Sequence, residues 1–369
     1  MSDTDDFEAA GLYDPGASDA DARLAVLRFF TDEVGASLPE IVQALEEDRL
    51  LSMAAFRMIR PRGERATLTQ IAERGGVSVS FAQRIWRAAG FPDPRPFERR
   101  FGQADAAFLE LMGVSRELVG EAPTLQFVRA LGNATAQIAE AEIAMVRSNM
   151  EAPLFADGRF VEVARSYRDI VVALFPRVVD AFDTLHRHHV ENITRRYSGS
   201  SPSAANVVPL AVGFADLSDY TGISAQLDAR ELGDMLDRFE ATTGDVVAGA
   251  GANVVKRIGD AVMYVTNAPG IGCTLGLDLI DACAAERLPK LRVGVAFGDV
   301  IVRQGDFHGP TVNLAARLVG AAEAGTVLAD TELHTRLGGI RGRYAFVPAG
   351  RLTLPGFPAP VETFLLLRP

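Results

Sequence analysis

The sequence predicts an α+β protein in which a helical N-terminal region precedes a C-terminal region of mixed strands and helices. In the first half, apolar residues such as Leu24 and Leu27 recur at steps of three or four, as in amphipathic helices. After a stretch of small polar residues at 198–206, apolar runs of strand length alternate with helical segments. We therefore predict an all-α domain at 1–197, a linker at 198–206, and a domain at 207–369 whose mostly antiparallel sheet is flanked by helices.

The composition narrows the class of protein. A chain of 369 residues is long enough for two or three domains with their own cores. The net charge of -11 argues against non-specific binding to nucleic acid or to anionic membranes. No apolar run reaches membrane-spanning length and the N-terminus is acidic, unlike a signal peptide, so we expect a cytoplasmic protein. Cys273 and Cys283 share one apolar helical stretch and are interpreted as reduced core residues.

Within the helical region, the segment 67–90 predicts a helix, a tight turn and a second helix. Thr69 and Ser78 are the expected N-caps, and the glycine pair at 75–76 suits the turn. Between 57 and 100 there are ten arginines and four acidic residues, a local excess of positive charge.

This helix-turn-helix segment has two interpretations. If it binds DNA, then Ser80, Gln83 and Arg84 face a major groove. Otherwise it is a packing motif reused as a scaffold. The acidic surroundings favour the scaffold, so nucleic acid is not an expected partner.

The strongest functional signal in the C-terminal region is a pair of aspartates at the polar ends of strand-like apolar runs. Asp216 follows the run that begins at Val207, and Asp260 lies within the run 254–265. Such aspartates often cap a helix or close a turn, and Asp216 also fits that simpler interpretation. Two carboxylates on neighbouring strands could instead hold a pair of hard divalent cations, as phosphoryl transfer requires.

A third segment, 305–318, adds to the case for the cation site. Pro310 suits the first turn of a helix, which places Asn313 and Arg317 one turn apart on the same face. An amide and a guanidinium aligned in this way can hold a ribose and a polyphosphate together.

These three segments occur in the same order in the catalytic domain of class III nucleotidyl cyclases, which the region 207–369 resembles. The shared motifs are Phe-Ala-Asp-Leu-Ser-Asp-Tyr-Thr at 214–221, Lys-Arg-Ile-Gly-Asp at 256–260, and Thr-Val-Asn-Leu-Ala-Ala-Arg at 311–317. The resemblance implies an adenylate or guanylate cyclase whose site binds two divalent ions, Mg²⁺ or Mn²⁺.

The resemblance also implies roles for three pairs of residues: metal ligands, purine-reading residues, and residues that steady the ribose and the transition-state phosphate. The metal ligands would be Asp216 and Asp260, and the purine-reading residues would be Lys256 and Asp306. The residues that steady the ribose and the phosphate would be Asn313 and Arg317. A loop that opens a helix would receive the β- and γ-phosphates on its backbone N–H groups. This loop consists of Leu217, Ser218, Asp219, Tyr220 and Thr221.

The purine-reading pair predicts the base. Adenine offers an acceptor at N1 and a donor at N6, which complement a lysine donor and an aspartate acceptor. Guanine presents the opposite pattern, so Lys256 with Asp306 favours ATP over GTP. The alternative is a plain surface salt bridge between these two residues.

One position departs from the family pattern. Related sequences usually read Leu-Lys-Gly-Phe before the last strand, and that lysine helps to hold the triphosphate. This chain has Pro355 there, which offers neither a charge nor an N–H group. Arg351 is nearby, but its spacing differs by several residues. Loss of this cation would raise the Michaelis constant more readily than abolish the chemistry.

Family geometry further implies a homodimer, with metal ligands from one chain and purine-reading residues from the other. The N-terminal half resembles, more loosely, the regulatory domain of some soluble actinobacterial cyclases. That resemblance implies a domain that restrains the catalytic dimer in a pH-dependent way and has an apolar cavity for a fatty acid.

Three histidines give a separate indication of pH sensitivity. His186, His188 and His189 lie in the predicted helix before the linker. Their protonation near pH 6 would place like charges within one turn, beside Arg187, and disfavour a packed state. The alternative is an exposed polar face without a regulatory role.

The leading hypothesis is a homodimeric adenylate cyclase that converts ATP to cyclic AMP and pyrophosphate under the control of its N-terminal domain. One alternative is a cyclase-like nucleotide-binding module weakened at Pro355. Another is a DNA-binding regulator that uses the segment 67–90.

Overall fold

The chain forms two compact units, Met1–Glu191 and Asn192–Pro369. The structure is a computed structural model that describes residues 3–47, 49–50, 53, 64–151, 162, 165–166, 169, 173, 175–197, 206–339 and 344–368. Among these residues, no helix has both the length and the apolar character needed to cross a membrane. The predicted linker at 198–206 lies outside the described residues except for Asn206, so the predicted domain boundaries stay a prediction.

The first unit is helical, as predicted. Its helices are α1 (Asp3–Ala9), α2 (Ala20–Arg28), α3 (Leu38–Glu46), α4 (Leu68–Arg74), α5 (Val79–Ala88), α6 (Gln103–Val119), α7 (Glu121–Val146) and α8 (Phe175–Tyr197), the last of which continues into the second unit. Helices α1 to α3 pack around Phe30 and Ile41, while α4 to α7 pack around Phe81 and Ile85. Burial of these apolar faces supplies the main driving force for the packing.

Helices α4 and α5 form the predicted helix-turn-helix, but the first cap differs from the prediction. Ser78 caps α5, since its Oγ accepts a hydrogen bond from the Phe81 N–H at 3.2 Å. The expectation that Thr69 caps the first helix is wrong, because Thr67 is the N-cap of α4. Thr67 and Gln70 exchange two hydrogen bonds, at 2.9 and 3.3 Å, and so satisfy two N–H groups. Thr69 has no such partner, because alanine stands three residues after it.

The proposed DNA-reading residues of α5 are only partly available. Ser80 is exposed and Gln83 is half-buried. Arg84 forms an ion pair with Glu121 of α7, with Nε 3.0 Å from Oε1, and its Nη2 donates a hydrogen bond to Oε2 at 3.1 Å. Because this guanidinium ties α5 to α7, the arrangement favours the scaffold interpretation over DNA binding.

The second unit contains an eight-stranded sheet with helices on both faces. Its elements are β1 (Val207–Leu217), α9 (Tyr220–Ser224), α10 (Ala229–Gly249), β2 (Asn253–Ile258), β3 (Ala261–Thr266), α11 (Pro269–Ala285), β4 (Leu291–Arg303), β5 (Asp306–His308), α12 (Pro310–Ala321), β6 (Val327–Asp330), α13 (Thr331–Leu337), β7 (Ala345–Leu352) and β8 (Val361–Leu367). The strand order is β2-β3-β1-β4-β6-β8-β7, with β5 paired to β4. Strands β4 and β6 are parallel and the other described pairs are antiparallel, which confirms the predicted sheet.

Strand β1 is an interior strand of this sheet, between β3 and β4, and this position explains the continuous apolar run of the sequence. Ala211 and Ala215 face a core formed with α10, α11 and α13. Leu210, Val212 and Phe214 face a second core formed with α12. A strand that is covered on both faces needs apolar side chains at every position, because successive residues point to opposite sides.

The last turn of α8 belongs to the second unit and is attached to its sheet. Arg196 hydrogen-bonds through Nη2 to the side-chain oxygen of Asn253 at the start of β2. The Asn267 side chain donates to the Arg196 carbonyl at 2.7 Å. Tyr197 packs against the core on the α12 side of the sheet. This end of α8 is therefore anchored at the same strand that carries Lys256.

Both cysteines are buried in α11 as free thiols. Burial raises the pKa of Cys273 to about 12 and that of Cys283 to about 11. Both thiols stay protonated at neutral pH, as expected for inert core residues.

Candidate active site

Asp216 lies at the end of β1, where the strand register sets it between Ala261 on β3 and Arg292 on β4. Its carboxylate forms an ion pair with the guanidinium of Arg292. The residue that precedes helix α9 is Asp219, not Asp216. The structure therefore gives Asp216 a cross-strand partner where the simpler interpretation expected a helix cap.

Asp260 lies in the hairpin turn between β2 and β3, directly before Ala261. The turn is made possible by Gly259, whose φ of 61° is in the left-handed region that favours glycine. The Leu217 N–H donates to the Asp260 carbonyl at 3.2 Å, which ties the turn to the end of β1.

The two aspartates are close enough to influence each other's charge. Burial, together with the negative charge of Asp216, raises the pKa of Asp260 above its ordinary value. The positive charge of Arg292 acts in the opposite direction. The structure thus brings the two predicted metal ligands together, and it adds a guanidinium beside them.

These residues fit a divalent cation. Two carboxylates against one guanidinium leave an excess of negative charge, and carboxylate oxygens are the ligands that Mg²⁺ and Mn²⁺ prefer. Two residues after Asp216, the Ser218 Oγ is buried and has no hydrogen-bond partner in the described part of the chain. No group of three or more His, Cys, Asp or Glu side chains with metal-site geometry occurs among the described residues. The carboxylates of Asp216 and Asp260 would supply the protein ligands of such a cation.

The predicted phosphate loop is only partly open. The Leu217 N–H is bonded to the Asp260 carbonyl, and the Ser218 N–H donates to the Lys290 carbonyl at 2.8 Å. The following residues, 219–221, lead into the first turn of α9, where helix geometry leaves backbone N–H groups without intrahelical partners. Phosphate binding by N–H groups is thus better suited to 219–221 than to the first two residues of the predicted loop.

Lys256 and Asp306 lie side by side. An irregularity in the β2–β3 register between Val254 and Lys256 locally shifts the strand. The Lys256 Nζ lies 2.6 Å from Asp306 Oδ2, and the Phe307 N–H donates to Asp306 Oδ1 at 2.8 Å. Burial raises the pKa of Asp306, but these hydrogen bonds outweigh it and hold the pKa below its ordinary value. A cationic donor and an anionic acceptor are therefore presented together.

Asn313 and Arg317 lie one turn apart on α12, and both are exposed. Helix α12 packs directly on β4 at Gly294, where a Cβ atom would come within 2.2 Å of the backbone nitrogen of Val319. Within the described residues, no hydrogen bond or ion pair joins Asn313 or Arg317 to the aspartates of the metal pair. In each of the three predicted pairs, the two members thus lie close to each other within one chain.

Pro355 stands at a turn that suits proline. The Phe357 N–H donates to the Leu354 carbonyl at 3.1 Å, and Gly356 has a φ of 87°. Proline followed by a residue with positive φ is typical of a type II turn. Arg351 is exposed on β7. The turn is therefore well formed without the lysine of the family pattern.

Arg292 is the site residue that the sequence argument missed. Its signal is a single charge in the otherwise apolar start of β4, Leu291-Arg292-Val293. A lone arginine in such a strand needs a partner, and the sequence alone does not say which of several acidic residues it is.

Comparison with known proteins supports the resemblance. Residues 203–368 match the family described as the adenylate and guanylate cyclase catalytic domain. An adenylate cyclase of Streptomyces coelicolor is 36% identical over 74% of this chain and 72% of that protein. The chain belongs to this cyclase family. The predicted class III assignment and the predicted enzyme class, adenylate cyclase, are thereby confirmed.

Two further relatives of this cyclase extend the similarity into its N-terminal half. The protein Rv2212 of Mycobacterium tuberculosis is 35% identical over 99% of this chain and 94% of its own length. The pH-sensitive adenylate cyclase MT1302 of the same species is 30% identical over 81% of this chain and 76% of its own length.

Proposed function

We propose that this chain converts ATP to cyclic AMP and pyrophosphate at a site completed by a second copy of itself. The observation that carries the proposal is the placement of Asp216 beside Asp260, with a donor–acceptor pair, Lys256 and Asp306, in the same sheet. Membership of the cyclase family supports it.

The residue types suit this reaction. Divalent cations held by Asp216 and Asp260 would lower the pKa of the ribose 3'-hydroxyl and neutralise the leaving pyrophosphate. Asn313 would orient the ribose, and Arg317 would stabilise the negative charge that develops on the α-phosphate. The N–H groups of 219–221 would receive the outer phosphates.

The base preference rests on Lys256 and Asp306. Adenine N1 would accept a hydrogen bond from the Lys256 ammonium, and the adenine amino group would donate to Asp306. Guanine would set its N1–H against the ammonium and leave both donors without an acceptor, which costs free energy in a closed site. ATP is therefore the proposed substrate.

The dimer is proposed because Asn313 and Arg317 are exposed on α12, and no hydrogen bond or ion pair within the described part of the chain joins them to the metal pair. A second copy, related by a two-fold axis, would place its α12 beside the metal pair of the first chain. The first chain would in turn place its α12 beside the metal pair of the second. Such a homodimer would have two equivalent sites.

Complementation tests the function and the dimer together. Asp216→Ala and Arg317→Ala proteins should each lack activity, as each loses a residue needed at both sites. When the two variants are co-expressed, each mixed dimer should have one intact site, so the mixture should show about a quarter of the wild-type rate. Cyclic AMP formed from Mn²⁺ and ATP is the readout. A folded mixture that stays inactive would contradict the shared site, and an inactive wild type would favour a non-catalytic module.

Control by the N-terminal unit is a second proposal, and it rests on the three histidines of α8. His186, His188 and His189 are exposed, and Arg187 between them is paired with Asp183 at 2.8 Å. The relative MT1302, whose name describes it as pH-sensitive, supports a pH response here. The activity profile from pH 5 to 8 should flatten in the triple His→Gln protein, and an unchanged profile would contradict the proposal.

A further inference from the structure

The second unit contains a cavity of about 450 Å³ that the proposed reaction does not use. Its walls come from Ala250 at the end of α10, from the first residues of α11, from Leu337 at the end of α13, and from Tyr344 just before β7. This volume is within the range of cavities that bind small molecules, which is about 300–1,000 Å³.

The cavity is remote from the metal pair. Strand β3 pairs with β1 from Ala261, opposite Asp216, to Thr266, opposite Ala211. The metal pair lies at the first end of this ladder, whereas the lining of the cavity begins two residues after Thr266, beyond the other end. The length of strand between the two ends is about 17 Å. The cavity is therefore separate from the candidate active site.

The wall of the cavity is mainly apolar and has no charged side chain among the described residues. Ala250, Ile271 and Leu337 supply most of the apolar side-chain surface that the argument needs. A charged ligand would lose much of its hydration here without gaining a partner of opposite charge, which costs free energy. The cavity thus suits a neutral molecule with an apolar body.

Two hydroxyl groups, those of Thr274 and Tyr344, interrupt the apolar wall. The Tyr344 hydroxyl donates to the Gly270 carbonyl at 2.9 Å and lies 3.2 Å from Thr274 Oγ1. Because Tyr344 has a single hydroxyl proton and gives it to Gly270, Thr274 is the donor in the contact between the two hydroxyls. The lone pairs of Thr274 Oγ1 then stay available, so a ligand O–H group can donate to this oxygen.

Gly270 allows this arrangement of hydroxyl groups. A Cβ atom at position 270 would lie 2.8 Å from the Tyr344 hydroxyl oxygen, so a side chain there would push the phenol ring away from α11. With glycine, the ring reaches the helix backbone and its hydroxyl lies beside Thr274. The polar part of the cavity is therefore preformed, as is usual for small-molecule sites.

We propose that this cavity binds a neutral, largely apolar molecule whose single hydroxyl group donates to Thr274. The site borders the loop after β3, where the Asn267 side chain holds the Arg196 carbonyl at the end of α8. A bound ligand would thus contact the loop that attaches this helix to the sheet. The inference does not depend on the proposed function, because no residue assigned to catalysis lines the cavity.

Calorimetric titration of the full-length chain with 2-naphthol, in the absence of nucleotide, tests the site. This probe is neutral at neutral pH, has an apolar double ring and carries one hydroxyl group, and we expect one molecule to bind per chain. Ala250→Trp places an indole ring in the cavity and should lower the affinity about tenfold or more. Ala248→Trp, at an exposed position of α10 outside the wall, is the matched control and should bind 2-naphthol as the wild type does.

Thr274→Val tests the hydrogen bond, and it replaces Ala250→Trp if that variant does not unfold cooperatively. It should lower the affinity for 2-naphthol about fivefold, as expected for the loss of one neutral hydrogen bond. Its affinity for 2-methoxynaphthalene, which has no hydroxyl proton, should equal that of the wild type. Asp216→Asn should bind 2-naphthol normally, because the metal pair is remote. Absence of saturable binding to the wild type, or unchanged 2-naphthol binding in a folded Ala250→Trp or Thr274→Val protein, would overturn the proposal.

Discussion

The candidate site has a metal half, formed by Asp216, Asp260 and Arg292, and a base half, formed by Lys256 and Asp306. Each half contains an ion pair, but the two halves differ in net charge and in exposure to solvent. Around Asp216, the side chains of Asp216 and Arg292 are 19% and 32% exposed, and Asp260 adds a second negative charge, for which no second cation is found among the described residues. In the base half, Lys256 and Asp306 are 38% and 36% exposed and balance each other one to one.

This difference explains why the two halves would respond differently to a ligand. A half-exposed ion pair with balanced charges contributes little stability and opens at little cost, so a purine can take over both partners. A more buried site with excess negative charge is strained until a cation binds. The metal half should therefore control whether the reaction runs, and the base half which nucleotide is used.

The largest effect is expected in the metal half. Asp216→Asn should lower the rate of cyclic AMP formation about a thousandfold, because a catalytic metal supplies several kcal/mol of transition-state stabilisation. The initial rate with Mn²⁺ and ATP is the measurement. Asp237→Asn, an equivalent change on the exposed face of α10, is the matched control and should behave as the wild type. A decrease below tenfold in the Asp216 variant would contradict its role as a metal ligand.

A smaller effect is expected in the base half. Lys256→Gln should lower kcat/KM for ATP about tenfold to a hundredfold, as expected for the loss of one charged hydrogen bond, and should reduce the preference over GTP. Arg257→Gln is the control, since that arginine is adjacent on β2 and pairs with Glu240 at 3.4 Å instead. Equal losses in the two variants would show that the strand, not the base contact, is affected.

The turn at Pro355 should give a still smaller change. Pro355→Lys restores the charge of the family pattern and should lower KM for ATP a few-fold with little change in kcat. Pro355→Ala separates this charge effect from the loss of proline rigidity, which costs below about 1 kcal/mol of stability. If both variants shift KM equally, the phosphate contact is not at this position.

The smallest effect concerns stability without metal. The pKa of Asp260 is raised in the folded state, so the folded protein binds this proton more readily than the unfolded chain does. Ionisation of Asp260 therefore costs stability as pH rises through its folded pKa. Asp260→Asn should melt above the wild type at pH 8 and converge with it towards pH 4, as measured by thermal denaturation with a chelator present. A constant difference in Tm would contradict this linkage.

The sequence alone was sufficient to predict where the strands near Asp216 and Asp260 end. Asp216 lies at the end of one apolar run and Asp260 lies within another, so each could be placed at or beside the end of a strand, whereas their closeness in space was implied by the resemblance to the cyclase family. The mostly antiparallel sheet followed from the same runs.

The contacts between distant strands could not be anticipated from local pattern. The pairing of Arg292 with Asp216 depends on β4 lying next to β1, and strand order is a property of the whole sheet. The same holds for the N–H groups of Leu217 and Ser218, which are bonded to carbonyls far along the chain. Thr67 and not Thr69 caps α4 because Thr67 forms reciprocal hydrogen bonds with Gln70, an arrangement that the sequence signals as a capping box.

The anchored end of α8 affects how the enzyme can be divided into fragments. A catalytic fragment that starts at 207, after the predicted linker, would lose Arg196 and Tyr197 and with them the contacts to Asn253, to Asn267 and to the core. A fragment that begins at Asn192 would keep these contacts, although it starts in the middle of a helix. A fragment intended to fold as an independent catalytic unit should therefore begin inside α8, upstream of the predicted linker at 198–206.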